Sequence, residues 1–451
     1  MILAELPMGI IKISLLAIGG LAGLSIIDDP KAKIQPPTVA AIPTHAFLNS
    51  IGVNTAISVR GEDVDKTIAA IGYTGIRWVR SGYEGNAPLQ DYIKLHMQTG
   101  AKFSYGLMSG GTDIPRLLTG AQSLAKANAL LALEGPNEPN NWGMTYQGVK
   151  GGSNASWMAV AKLQADLYKA VKADGVLKKY PVWSLSENGA QTDNVGLQYL
   201  QIPKGADAKM PAGTKYADYA NAHNYFSHPS HKGWYDNQVW NAADPGAACK
   251  VDGLFGNYGT TWRYKFKGNT EEQLRNLPRV TTETGVTIDN EFTEDAQARL
   301  YINLYLAQFK RGWAYTSVYL LRDRSDEAGN QSFGFYKADY TPRLAAMYLH
   351  NLTTILEDNG ALRNASGLSY RIINQPAVVH DLLLQNSNGK FQLVIWGEKV
   401  HGMESINIEF GKKIPALKTY DPTLGVTPTM TMQNVDKLNL VVMDHPVIIE
   451  L

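Results

Sequence analysis

Cysteine is almost absent from this chain: Cys249 is the only one in 451 residues. That excludes an intramolecular disulfide and any cysteine-built metal site, and no motif supplies the histidine partner a nucleophilic Cys249 would need. Charge is sparse as well. Acidic and basic residues make up 18% of the chain and cancel to a net +1, with no dense basic run, which argues against a nucleic-acid partner. No Gly-rich phosphate fingerprint opens the first strand-helix unit, and no internal repeat is present. His228 and His231 stand three apart in Ser227-His-Pro-Ser-His231. Without a third ligand they read as a loop over a cleft, so neither a metal nor a cofactor is expected.

Long apolar runs are also scarce. Residues 13–27 form a Gly-rich apolar stretch preceded by Lys12, of signal-peptide length and short for a membrane span. Glu5 spoils a basic leader, and no small-residue cleavage site follows at once. Residues 1–37 are nevertheless expected to be an export signal or N-terminal membrane anchor followed by a linker, which places the protein in a secreted or periplasmic compartment.

What the chain does have is alternation. Apolar runs at 51–57, 75–80, 102–107, 131–133, 182–186, 219–225, 279–283 and 314–321 read as strands. Amphipathic stretches at 64–71, 89–98, 114–128, 156–173, 296–309 and 344–356 read as helices. Eight strand-then-helix units predict an α/β fold, a (β/α)8 TIM barrel over residues 38–357, in preference to a doubly wound open sheet. Residues 204–268 are the irregular part and must hold the fifth helix. After residue 358 the runs become short and alternating, at 369–373, 378–384, 391–396, 405–410, 417–420, 427–432, 438–443 and 447–451. These predict a C-terminal antiparallel β-sandwich, to which residues 38–47 would add a strand.

The fourth strand runs into Leu131-Ala-Leu-Glu-Gly-Pro-Asn-Glu-Pro-Asn-Asn-Trp142. Gly135 and Pro136 end the strand, so Glu138 should stand just past its C-terminal tip, where a barrel carries its active site. Glu283 closes the seventh strand. Asn54 falls near the end of the first strand, Arg80 at the second, His223 and Tyr225 at the sixth, and Arg322 after the eighth. Two carboxyl groups at one mouth, with amide, imidazole and phenol groups around them, suit glycoside hydrolysis: one carboxyl must be protonated and the other ionised. Several residues carry a second reading. Arg80 is either a site residue or a barrel arginine paired with a carboxylate, and His223 a site residue or a core histidine. Trp142 is a sugar-stacking platform or simple packing. Arg322, Asp323 and Arg324 form a charge cluster that reads an acidic sugar only if it points inward. Glu84, Glu134 and Glu187 compete with the two chosen carboxylates, and Glu134 is placed as a partner behind Glu138.

Asn137-Glu138-Pro139-Asn140 and Thr281-Thr-Glu283-Thr-Gly285 resemble the two catalytic strand ends of clan A glycoside hydrolases. Gly75-Ile-Arg-Trp-Val-Arg80 and His223-Asn-Tyr225 resemble that clan's second- and sixth-strand signatures. A barrel followed by a β-sandwich is similar to glycoside hydrolase family 39, with family 79 second. The resemblance implies a retaining mechanism in which Glu138 is the acid/base and Glu283 the nucleophile, their carboxyls about 5–5.5 Å apart. It further implies that Asn137 holds the sugar 2-hydroxyl, that Tyr225 orients Glu283, and that His223 and Arg80 support them. Gly135-Pro136 departs from the residues such families often place before the Asn. The expected partner is an oligo- or polysaccharide. A noncatalytic carbohydrate-binding barrel and a barrel enzyme of another reaction class are the competing readings.

Overall fold

Each helix of the first half is delimited by its own sequence. In α1 (Val64–Thr74) the Asp63 carboxylate accepts from the Asp65 and Lys66 amides at 3.0 Å, and Gly75 ends the helix at φ 69°. Ile68 and Ile71 bury one face, each stabilising the fold by roughly 1.5–3 kcal/mol. α2 (Leu89–Thr99) stops at Gly100, and α3 (Ile114–Lys126) starts at the Asp113 cap with Pro115 in its first turn. α4 (Met158–Ala173), α5 (Glu294–Lys310) and α6 (Leu344–Ile355) follow.

Our computed structural model describes residues 35–451, apart from 84, 86, 154, 188–199, 207–208, 226–269, 271, 274–275, 291, 327–330, 359, 361, 363 and 400–401. The apolar run at 13–27, Cys249, the His228/His231 loop, Glu84 and, within the fifth-helix stretch, residues 207–208 and 226–268 lie outside the described residues. Among the described residues no helix is long and apolar enough to cross a membrane.

Eight parallel strands form the barrel: β1 (Ile51–Asn54), β2 (Trp78–Ser81), β3 (Lys102–Leu107), β4 (Leu130–Pro136), β5 (Val182–Trp183), β6 (Ala220–His223), β7 (Arg279–Thr284) and β8 (Trp313–Val318). Hydrogen bonding runs continuously from β6 through β7, β8, β1, β2, β3 and β4 to β5. A bridge between Trp183 and Tyr219 then joins β5 to the chain entering β6 and all but closes the ring. The eight expected strands are thus all present, in barrel order.

The barrel is filled in layers. At the floor Trp78 meets Trp183 and Tyr315 edge-on at 5.3 and 5.8 Å, together with Ala132 and Val280. Gly52 is required there, because a Cβ would overlap the Trp78 indole. Two residues further along the strands the inward positions turn polar, with Arg80, Ser104, Glu134, Asn221 and Thr282 all buried. A charged layer replaces the branched aliphatic one usual in such barrels.

The later strands are β9 (Gly367–Ile373), β10 (Val379–Gln385), β11 (Phe391–Gly397), β12 (Glu404–Tyr420), β13 (Met430–Val442) and β14 (Pro446–Glu450). The sequence reading predicts two facing sheets. Hydrogen bonding links these six strands, with Thr38–Ala40 and Ile42–Pro43, into one continuous eight-stranded sheet. Residues 405–410 and 417–420, expected as two strands, are one: the register slips between Glu409 and Ile414 around Gly411-Lys412-Lys413, a bulge rather than a break. The runs at 427–432 and 438–443 merge in the same way into β13, with Asn434 at φ 55°. Leu382, Leu384, Val394, Trp396 and Ile448 join the core of the barrel's helices. Their neighbours Leu383, Leu393, Ile395 and Ile449 pack with Ile406, Ile408 and Leu417 in a second core. Residues 36–451 therefore make one compact unit.

Candidate active site

Glu138 lies two residues beyond β4. Its φ of 39° is in the left-handed region, which costs a non-glycine residue roughly 1–2 kcal/mol. The turn that holds it there is made by the Asn141 and Trp142 amides, both donating to the Glu138 carbonyl at 2.8 Å. Gly135, just upstream, faces outward against Gln164 and the Leu185 amide, where a Cβ would overlap the Gln164 side chain. Glycine at this position is therefore a packing requirement on the outside of the strand.

Arg80 is the centre of the buried network. Its Nε donates to both oxygens of Glu134 at 3.0 and 3.1 Å, and its Nη2 donates to Glu134 Oε1 at 2.7 Å and to Asn137 Oδ1 at 2.8 Å. Nη1 donates to Glu283 Oε1, and the guanidinium lies 3.9 Å above the Tyr83 ring. The two readings of Arg80 are both realised: it pairs with a structural carboxylate and reaches the site. Asn54 joins the same layer. With its oxygen turned toward donors it accepts from Arg80 Nη1 at 3.3 Å and from the Tyr83 hydroxyl at 2.8 Å, and its amide donates to Thr282 O at 3.0 Å.

Above Arg80 the two chosen carboxylates face each other. Tyr225 donates to Glu283 Oε2 at 2.9 Å. His223 Nδ1 lies 2.6 Å from Glu138 Oε1 and 3.4 Å from Glu283 Oε2, and Asn141 Nδ2 donates to Glu138 Oε2 at 2.8 Å. The facing atoms of Glu138, His223 and Glu283 all lie within 4.8 Å of one another. This is the set among the described residues that comes closest to a metal site. Its members are engaged with one another, and Arg80 already sets a cation against Glu283, so the cluster reads as a hydrogen-bonded network.

Burial raises the Glu283 pKa; His223 and Arg80 pull it back, Glu138 pushes it up again, and the Tyr225 hydroxyl lowers it. Burial, with help from Arg80, depresses His223 to about 4 against the upward pull of Glu283 and Glu134, so the ring is neutral at pH 7. Tyr225 is pushed well above the usual phenol range, first by burial and then by Glu283, and stays a donor.

The structure brings together Glu138, Glu283, Asn137, His223, Tyr225, Arg80 and Asn54. Trp142 stands at the rim, 53% exposed and tied to Glu138 through its backbone. Arg322 is not brought to the cluster. Its Nε donates to the Ala338 carbonyl at 2.6 Å and its guanidinium lies 5.2 Å from the Tyr340 ring, because the chain after β8 turns back to bridge Tyr336. Asp323 pairs with Arg343, and Arg324 pairs with Asp326 at 2.9 Å, so the expected cluster is split among other partners.

Sequence reading missed Ser109, to which Asn137 Nδ2 donates at 3.1 Å, and it also missed Asn141, Asn221 and Thr282. Asn221 was legible in principle, two residues before His223 on the inward side of β6. Thr282 was not. The register between β6 and β7 slips after Ala222, whose partner is Thr281, so that His223 faces Glu283, and β7 slips again against β8. Consecutive residues Thr282 and Glu283 therefore both reach the network, against the two-residue period of a regular strand.

No protein-family model matches the sequence, and no curated protein matches it. Solved structures do match in fold. A family 39 glycoside hydrolase from the gut symbiont Bacteroides cellulosilyticus has a TM-score of 0.56 at 16% identity, covering 90% of this chain and 82% of that one. A bifunctional glucanase-xylanase from a metagenome library has 0.54 at 10% identity, covering 92% and 99%. A family 51 arabinofuranosidase from Xanthomonas axonopodis pv. citri has 0.51 at 9% identity, covering 93% and 98%. The resemblance to clan A glycoside hydrolases, family 39 among them, thus extends from the strand-end motifs to the fold of nine-tenths of the chain.

Proposed function

We propose that this protein is a retaining glycoside hydrolase that cleaves β-linked oligo- or polysaccharides by double displacement. One observation carries the reading: two buried carboxylates at the C-terminal mouth of the barrel, their facing oxygens within 4.8 Å. That approach suits the roughly 5–5.5 Å carboxyl separation of retaining enzymes better than the about 6.5–9.5 Å of inverting ones. In the first step Glu283 attacks the anomeric carbon as the glycosidic bond breaks, and the Glu138 proton passes to the leaving oxygen. In the second, Glu138 takes a proton from water, whose oxygen displaces Glu283 from the sugar. Arg80 and Tyr225 hold Glu283 in line and support its charge. Asn137, with one amide hydrogen on Ser109, offers the second to the 2-hydroxyl. Trp142 gives a flat face for a further sugar unit at the rim. The second sheet braces the barrel, and an exported protein fits a polysaccharide substrate.

The test is hydrolysis of a panel of aryl β-glycosides and polysaccharides, with product configuration followed by NMR. Glu138→Gln and Glu283→Gln are each expected to lose about 10²–10⁴-fold or more in kcat while remaining folded. Azide should rescue Glu283→Gly with inverted product. Activity surviving either Gln variant would show that the wrong carboxylates were chosen. Oligosaccharide binding without turnover on any substrate would favour the noncatalytic carbohydrate-binding barrel.

A further inference from the structure

The buried layer beneath the two carboxylates contains a third, Glu134, which is too deep to touch a substrate. It has a line of contacts to each of the other two. One runs through Arg80 to Glu283. The other runs from Glu134 Oε1 to Thr282 Oγ1 at 3.0 Å, from Thr282 Oγ1 to His223 Nε2 at 3.1 Å, and from His223 Nδ1 to Glu138 Oε1 at 2.6 Å. Resting on the assignment of Glu138 as acid/base, we propose that Glu134, acting through the Thr282 hydroxyl, holds His223 as its Nε2–H tautomer and so keeps the proton on Glu138.

The argument follows the hydrogens. A threonine hydroxyl has one donor and two acceptor positions. The Thr282 hydrogen is claimed by Glu134 Oε1 at 3.0 Å and by Asn221 Oδ1 at 3.1 Å. The carboxylate, held bidentately by Arg80, is the stronger acceptor. Asn221 Nδ2 donates to Thr282 Oγ1 at 2.9 Å and occupies one lone pair. The remaining lone pair faces His223 Nε2, which must then carry a hydrogen. A neutral ring with its hydrogen on Nε2 presents a bare lone pair at Nδ1. A carboxylate oxygen and a bare nitrogen repel at 2.6 Å, so the hydrogen between them belongs to Glu138.

The other groups around the pair agree. Glu283 Oε2, 3.4 Å from Nδ1, takes its hydrogen from Tyr225, and Asn141 donates to the far oxygen of Glu138. Glu283 beside Glu138 disfavours a second negative charge, and among the described residues Arg80 is directed to Glu134 and Glu283. One buried carboxylate thereby supports opposite protonation states in the two residues above it: ionised Glu283 through Arg80, protonated Glu138 through Thr282 and His223. Once Glu138 has given up its proton, the Nδ1 lone pair opposes the carboxylate left behind and makes it a stronger base for water in the second step.

The decisive experiment is ring-nitrogen NMR of enzyme labelled with 15N-histidine, with the His223 signals assigned by their loss in His223→Asn. The wild type is expected to show Nδ1 unprotonated and Nε2 protonated. Thr282→Val removes the acceptor at Nε2, so the hydrogen should move to Nδ1 and donate to the Glu138 carboxylate. The basic limb of kcat/KM should then fall by about one pH unit, a tenfold change in the Glu138 ionisation constant. Thr282→Ser should restore both signatures. A wild-type ring protonated at Nδ1, or a Thr282→Val ring unchanged from wild type, overturns the proposal. The wild-type spectrum decides the matter even where Thr282→Val does not fold. An Nδ1–H ring in an active glycosidase would sink this relay alone, whereas the expected ring in a protein without hydrolysis would sink only the glycosidase assignment.

Discussion

In the second sheet the inward positions carry Leu393, Ile395, Ile408, Leu417 and Ile449, and at equal depth in the barrel stand Arg80, Ser104, Glu134, Asn221 and Thr282. Both regions exclude water, but they are held together differently. The apolar core gains from every methylene it buries and tolerates modest repacking. The barrel layer gains little net energy from its ion pairs, since the desolvation of three charges offsets much of their attraction. Its value lies in orientation: each donor of Arg80 is directed to a named acceptor, which fixes Asn137 and Glu283 in relation to each other. The sheet supplies stability, and the barrel interior uses some of it to hold a site in place.

Substitutions that exchange these characters test the comparison. The largest effect is expected for Arg80→Met, which leaves Glu134 and Glu283 buried without their counter-charge. Denaturant unfolding should show a loss of about 3–5 kcal/mol, together with loss of hydrolysis. Ile395→Ala in the sheet should cost about 2–5 kcal/mol by the same measurement and leave kcat/KM of the folded protein unchanged. A fall in kcat/KM in that variant would mean that the sheet shapes the site and does more than brace it.

A smaller effect belongs to the seam between the regions. His445 lies 3.2 Å from Asp421 and 3.1 Å from Asp444, and Asp444 also binds Arg299 of α5 at 2.8 Å. Burial opposes its charge, but the two carboxylates outweigh burial and raise its pKa to about 9. The folded protein keeps this proton where the unfolded chain loses it near pH 6.5. The stabilisation is complete below about pH 6.5 and disappears as pH rises through about 9. In His445→Gln the corresponding decline in unfolding free energy between those values, about 1–3 kcal/mol, should be absent when denaturant unfolding is followed against pH. The smallest effect is that of Tyr225→Phe, which should lower kcat/KM about tenfold. Because the Tyr225 hydroxyl lowers the Glu283 pKa, its removal should move the acid limb to higher pH. An unmoved acid limb would mean that Glu283 is not the group titrating there.

Much of the site was legible because it sits at strand ends. Glu138, Glu283, Asn137, Arg80, His223 and Tyr225 each follow or close an apolar run, and a parallel barrel gathers such ends at one mouth. Arg322 also follows a strand, yet the chain after β8 folds back and spends that side chain on Ala338 and Tyr340. Position at a strand end was therefore necessary and not sufficient. Glu134 was visible as a partner, but its reach to both carboxylates was not. That reach passes through Thr282, whose direction is set by a register slip.

By itself the sequence determined the number and order of the barrel strands, since apolar periodicity and Gly/Pro punctuation act over a few neighbouring residues. It also placed Glu138, Glu283, Asn137, Arg80, His223 and Tyr225 at strand ends. Only the tertiary structure decided that residues 404–420 and 430–442 run as unbroken strands and that Thr282 turns inward beside Glu283. The same holds for the two carboxylates, Glu134 and Glu283, and the Asn137 amide that share one arginine. Those outcomes depend on bulges, register and ring closure, which arise from contacts between segments far apart in the chain and leave no mark in any local stretch of it.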